Sequence, residues 1–168
     1  MADVFLGLGS NDGDRQANIR KALLLLNNHD RVKILAVSSL YETKPLGESS
    51  QPDFINCVAR IETDYLPQEL LEIAKTIEVT LGREPHTHML PRPMDIDILL
   101  YDKLDHDSID LMIPHSRLTK RRFVLEPLLE IDEDIIHPVT GRPLKESFED
   151  VKSQKMIKRM ESTEVWNE

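Results

Sequence analysis

Residues 91–102 read PRPMDIDILLYD, and the run from about 95 to 102 has the Ile and Leu content of a buried strand. Asp95 and Asp97 stand two residues apart where the apolar run begins, and Arg92 precedes the first by three positions. Side chains at i and i+2 of a strand share a face, so both carboxylates project together while Ile96 points the other way. Reading this stretch as a strand decides the fold, because it supplies the last member of a β-α-β-β-α-β order.

Upstream, DVFLGLG (3–9) is a first strand, broken by Gly9 and the turn-rich SNDGD (10–14). Ile19, Ala22, Leu23 and Leu26 then recur at helical spacing and predict a helix over roughly 14–28. VKILAVSSLYET (32–43) is the second strand and KPLGESSQPD (44–53) a polar loop. FINCVARIET (54–63) is the third strand, with Ile55, Cys57, Ala59 and Ile61 on one face. Pro67 opens a second helix, with Leu70, Ala74, Ile77 and Leu81 inward and Gly82 as its stop. The order is that of an α+β, ferredoxin-like unit, an antiparallel sheet with helices on one face.

Downstream, YDKLDHD predicts a hairpin turn into a short strand near 108–112, and IPHSRLTKRRFVLEPLLEI a loop and an apolar helix ending near 131. The tail at 143–168 is highly charged with some helical periodicity, which predicts a helical C-terminal extension. The expectation is one domain over 1–168, with its core in 1–137.

Hydrophobic residues make up 40% and charged residues 30% of the 168, as in ordinary globular domains. No apolar run approaches the ~20 residues of a membrane span. The N-terminal stretch has an early acid and no basic region, so no secretory signal is expected and the cytoplasm is the default location. The lone Cys57 is expected to be a small core residue. A net charge of −9 argues against a nucleic-acid face; a monomer is favoured. Positive charge gathers locally, at Arg117, Lys120, Arg121 and Arg122 and at Arg83 and Arg92, which suits a small anion.

Paired carboxylates are hard ligands suited to Mg²⁺, which takes one or two of them plus phosphates and water. The alternative is a solvated strand end, or acids paired with Arg92. Arg83 follows a helix C-terminus, where a basic side chain is favoured as a cap. Arg92 lies between Pro91 and Pro93, which fix where its guanidinium projects. His115 follows Pro114 and could donate to a phosphate oxygen. No Walker-type glycine loop is present, and GLGSNDG lacks dinucleotide-fingerprint spacing. His86 and His88 with Asp95 and Asp97 leave open a zinc-type phosphohydrolase site. Phe54 and Asn56, at i and i+2, offer a ring and an amide to a flat heterocycle, beside the loop of Thr43, Pro45 and Leu46.

Five segments in order, LGLGSNDGDR, SSLYETKPLGESSQPDFIN, PQELL…IE…LGR, PRPMDIDILLYD and IPHSRLTKRRFVLEPLLEI, resemble the 6-hydroxymethyl-7,8-dihydropterin pyrophosphokinases of folate biosynthesis. The resemblance spans roughly residues 3–137. It implies an ATP-dependent enzyme that transfers pyrophosphate to the pterin's hydroxymethyl oxygen and releases AMP. It further implies two Mg²⁺ ions on Asp95 and Asp97, and nucleotide contacts from Arg83, Arg92, His115 and Arg121. Thr43, Pro45, Leu46, Phe54, Asn56 and Phe123 would form the pterin pocket, and Asp95 would be the nearest acceptor of the hydroxyl proton. THML at 87–90 stands where the family usually carries an Arg-Trp-Gly run. A phosphohydrolase, or a non-catalytic ligand-binding module of the same fold, are the alternative readings.

Overall fold

Antiparallel pairing around one central strand organises the chain. The computed structural model describes residues 1–45, 50–84, 90–156 and 158–160. Its elements run β1 (Ala2–Ser10), α1 (Arg15–Asn27), β2 (Val32–Val37), β3 (Leu40–Thr43), β4 (Phe54–Thr63), α2 (Pro67–Thr80) and β5 (Asp95–Tyr101). A small hairpin follows, β6 (His106–Asp107) with β7 (Met112–Ile113), then α3 (Arg122–Ile131), α4 (Leu144–Val151) and β8 (Lys158–Met160).

Local chemistry sets the helix ends. Asp14 caps α1 by accepting from the Ala17 N–H at 3.1 Å, just after Gly13 turns the chain at φ 72°. Pro67 occupies the first turn of α2, where its missing N–H costs nothing, and Glu69 reaches back to the Leu66 N–H at 2.8 Å. Gly82, at φ 102°, ends that helix in the left-handed region. In α3, Pro127 has no N–H to offer the Phe123 carbonyl four residues earlier.

The main sheet has the order β5-β1-β4-β3-β8, with β2 also paired to β4, and every pairing is antiparallel. The continuous second strand expected over 32–43 is in fact two. Buried Ser38 divides it: its hydroxyl accepts from the Val58 N–H at 2.9 Å and donates to the Ser39 carbonyl at 2.8 Å. A side chain thereby takes over a ladder position, as short hydroxyl residues do. The short strand expected near 108–112 is likewise a hairpin whose strands flank that segment.

Helices cover both faces of the sheet, which corrects the one-sided expectation. On one face Ile19, Leu23 and Leu26 of α1 and Leu70, Ala74 and Ile77 of α2 meet Val4, Leu6, Leu8, Cys57, Ile61 and Ile96. On the other, Leu125 and Leu128 of α3 and Leu144 and Val151 of α4 meet Phe5, Val58, Leu99 and Leu100. Both Leu99 and Leu100 reach this second core because the β1–β5 register shifts at Phe5/Leu6. Burying Leu125 and Leu128 stabilises by roughly 1.5–3 kcal/mol each, enough to seat a ten-residue helix there. Among the described residues the C-terminal segment is only partly helical, since β8 returns to the sheet edge beside β3. Among the described residues no helix is long and apolar enough to cross a membrane.

Candidate active site

On the α3 side of the sheet, three strands present their side chains in rows. Gly9 of β1 pairs with Asn56 of β4 and with Asp95 of β5; Gly7 pairs with Val58 and Asp97. Each row therefore runs from a β4 side chain, across a glycine, to a β5 carboxylate. A Cβ on Gly9 would meet Asn56 Oδ1 at 2.6 Å, and one on Gly7 would meet Leu99 at 3.4 Å. The two missing side chains are the floor of a cavity of about 260 Å³.

Asp95, Asp97, Arg92, His115, Arg121, Thr43, Pro45, Phe54, Asn56 and Phe123 all line this cavity. Of the site residues the resemblance implies, Arg83 alone among those described stands back from it, and of the basic cluster at 117–122 only Arg117 and Arg121 line it. Its Nη1 donates to Glu78 Oε1 and to Asp95 Oδ1, each at 3.0 Å, behind the carboxylate pair. Leu46, His86 and His88 lie outside the described residues.

The two acids occupy unequal surroundings. Asp95 has Arg83 on one oxygen and Arg92 Nε 3.5 Å from the other. The His115 imidazole stands beside Asp97, with Nε2 3.9 Å from Oδ2. Desolvation in the cleft, then the Asp95 and Glu78 carboxylates, push Asp97 from the ordinary 3.8 up to about 7 against the pull of Arg121 and Arg83. The side chain is 44% exposed, but that surface opens into a concave space walled by protein and by like charge. His115 is pushed the other way, first by burial and then by Arg121 and Arg117. Its Nδ1 accepts from the Arg117 N–H at 3.1 Å, so the neutral ring carries its proton on Nε2, facing Asp97.

An aromatic and amide wall faces the acids. Asn56 Nδ2 donates to Thr43 Oγ1 at 2.8 Å, which fixes the amide's orientation. The Arg92 guanidinium lies over the Phe54 ring at 5.2 Å, and Arg121 over Phe123 at 5.4 Å. An electropositive, ring-bearing side thus adjoins a carboxylate corner, an arrangement suited to a flat heterocycle and a polyphosphate. Among the described residues no third His, Cys, Asp or Glu joins the two carboxylates in a group that could hold a metal ion, so a cation there would take its remaining positions from substrate oxygens and water.

Several positioning residues escaped the sequence reading. Asn11, 1% exposed, exchanges hydrogen bonds with the Arg92 backbone at 2.8 and 3.1 Å and donates to Gln51 and to the Pro52 carbonyl. Glu78 accepts from the Ile96 N–H at 2.9 Å and so ties α2 to the strand bearing the acids. The signals were present: glycines at i and i+2 in an apolar strand, and a glutamate in the inward stripe of α2.

The raised Asp97 carries a checkable consequence. The unfolded side chain ionises near its ordinary value and the folded one near 7, so folding holds an extra proton in between. That contribution is complete below about pH 4 and is lost as pH rises through about 7. Without divalent cations, Asp97→Asn melts with the wild type at about pH 4 and above it at about pH 8. Discounted for the side chain's exposure, the gain is about 1 kcal/mol, or about 2–4 °C. Coincident melting curves at pH 8 would remove the crowding argument.

The profile of the 7,8-dihydro-6-hydroxymethylpterin-pyrophosphokinase (HPPK) family matches residues 5–133. The 2-amino-4-hydroxy-6-hydroxymethyldihydropteridine pyrophosphokinase of Aquifex aeolicus is 45% identical over 147 residues, covering 87% of this chain and 90% of that protein. Its Bacillus subtilis counterpart is 41% identical over 138 residues, covering 82% and 83%. The folic acid synthesis protein fol1 of Schizosaccharomyces pombe is 41% identical over 90% of this chain, which spans only 21% of that longer protein. Among solved structures, wild-type Plasmodium falciparum HPPK-DHPS with pteroate superposes with a TM-score of 0.72 at 17% identity, over 91% of this chain and 43% of that one. At that identity the structural match speaks for the fold alone.

Proposed function

The chain belongs to the 7,8-dihydro-6-hydroxymethylpterin-pyrophosphokinase family, and from that membership we propose that it transfers the pyrophosphoryl group of ATP to the hydroxymethyl oxygen of 6-hydroxymethyl-7,8-dihydropterin, releasing AMP. The observation that supports this most is the row Asn56–Gly9–Asp95, an amide that can pair with a pterin edge one strand away from a carboxylate corner. The same membership supports reading the sheet as a ferredoxin-like βαββαβ unit whose second strand is divided into β2 and β3. The single-domain, cytoplasmic reading rests on composition, as does the choice of small molecules over nucleic acid.

In this reading Asn56 and Thr43 orient the pterin edge, while Phe54 and Phe123 offer their rings to its faces. Arg92, Arg121 and His115 hold the triphosphate, and Arg83, 3.0 Å from Asp95 Oδ1, holds that carboxylate in place. The oxygen-only donor set of Asp95 and Asp97 fits Mg²⁺, with two ions as the working number. Bound there, Mg²⁺ would neutralise phosphate charge and lower the cost of ionising the attacking hydroxyl. The protein's own part is positioning and charge, with no covalent nucleophile required. Without a cation Asp97 reaches full charge only as pH rises through about 7, and a cation bound there would favour its ionised form at lower pH.

The direct test incubates the protein with MgATP and the pterin alcohol and resolves the nucleotides formed. AMP appearing in step with a pterin diphosphate is expected. ADP as the product, or AMP formed without pterin, would overturn the reading.

A further inference from the structure

The Glu130 carboxylate gathers donors from a different part of the chain than the reaction centre. Its Oε1 accepts from the Ser39 N–H at 2.9 Å, the Ser39 hydroxyl at 2.6 Å and Arg159 Nη2 at 3.2 Å; its Oε2 accepts from the Tyr41 hydroxyl at 2.5 Å. One side chain in the last turn of α3 is thus bonded to β3 and to β8. The Arg159 Nε also donates to Ser39 Oγ at 3.1 Å, closing the group. Tyr41 is 2% exposed, so its hydroxyl depends on this partner.

The two elements joined here both contribute to the lining of the cavity. The N-terminal end of α3 brings Arg121 and Phe123; the C-terminal end of β3 brings Thr43 and leads into Lys44 and Pro45. Tyr41 pairs with Asn56, and Thr43 pairs with Phe54. Apolar packing of Leu125 and Leu128 holds α3 on the sheet, but such contacts are non-directional and tolerate sliding and rotation. Hydrogen bonds are directional, and those to a charged acceptor are roughly twice as strong as neutral ones. The register of α3 against β3 therefore depends on Glu130 more than the attachment of α3 does.

We propose that Glu130, with Tyr41, Ser39 and Arg159, is a positioning group for the reaction: it fixes the separation between the Phe123 wall and the Thr43–Asn56 wall, and so sets affinity for the flat ring. β8 takes part through Arg159, which gives the C-terminal strand a role in substrate binding. This inference rests on the pterin reading of the cavity.

The test titrates the wild type, Glu130→Gln and Tyr41→Phe separately with the pterin alcohol and with a non-hydrolysable MgATP analogue, and records melting curves. Glu130→Gln is expected to weaken pterin binding about tenfold and the nucleotide analogue by a clearly smaller factor, about threefold, since only Arg121 of the triphosphate contacts sits on α3. Tyr41→Phe, which keeps the ring in the core, is expected to show the same selectivity at smaller amplitude, and Glu130→Asp to recover part of the loss. A lower melting temperature with both ligands weakened alike would mean general loosening and would overturn the proposal. Pterin affinity unchanged in both variants would overturn it as well, and Tyr41→Phe decides the matter if Glu130→Gln does not fold. A wild type that binds no pterin would overturn the functional reading together with this one, whereas normal wild-type binding with unaffected variants removes only the positioning role.

Discussion

Asp97→Ala lowers AMP formation by at least about a thousandfold, the rate equivalent of about 4 kcal/mol of lost transition-state stabilisation. The fold survives, because among the described residues the Asp97 side chain has no close ion pair to lose: His115 Nε2 stands 3.9 Å away, beyond hydrogen-bond reach. Asp95 is the poorer probe. Removing it would strand Arg83, 18% exposed and shared with Glu78, and would conflate lost chemistry with a disturbed ion pair. Asp97 separates the two, since its carboxylate is crowded by Asp95 and Glu78 in the cation-free protein. Single-turnover measurements with saturating MgATP, beside a urea unfolding curve, make the check. Retention of even a tenth of wild-type turnover in a folded variant would sink the cation-site assignment.

Gly9→Ala abolishes useful pterin binding, raising its dissociation constant about a hundredfold, while binding of the nucleotide analogue falls much less. The added methyl would sit 2.6 Å from Asn56 Oδ1, a distance no settled contact shows, and in ordinary contact with the Phe54 ring at 3.7 Å. Asn56 has little freedom to yield, because Thr43 Oγ1 holds its other amide atom at 2.8 Å. Relief comes only by breaking that bond or bending β1, and either removes the oriented amide. Gly7→Ala is the matching control: its methyl meets the flexible end of Leu99 at 3.4 Å, a contact a small rotamer change can absorb. Equal losses from the two substitutions would show that the effect belongs to the strand and not to the Asn56 pocket.

Much of this site could be read in the linear chain because strand periodicity carries it. Asp95 with Asp97, and Phe54 with Asn56, share faces by the i, i+2 rule whatever the tertiary arrangement. The helix over 15–27 and the start of α2 at Pro67 were legible from capping chemistry and the inward stripe. Other features depend on partners distant in sequence. Gly7 and Gly9 failed the test for a phosphate loop, and only the pairing of β1 with both β4 and β5 reveals them as a floor. Periodicity in α3 announces an apolar stripe but cannot say which face of the sheet receives it, so the second covered face went unforeseen. The break at Ser38 and Ser39 arises from hydroxyl bonding that hydrophobic pattern does not report. Lys158–Met160 has no alternation to mark it as a strand, and its place beside β3 is a matter of Arg159 meeting Glu130.

The row from Asn56 through Gly9 to Asp95 also acts as a ruler. Neighbouring strands lie about 4.8 Å apart, so the β4 and β5 backbones stand about 10 Å from one another across β1. Backbone hydrogen bonding sets that interval, and side-chain substitutions that leave the ladder intact do not change it. A ligand whose polar edge engages Asn56 must present its reactive oxygen one such interval away. Discrimination between substrates by arm length is therefore built into the sheet itself, leaving the surrounding side chains to choose among ligands that already span the gap.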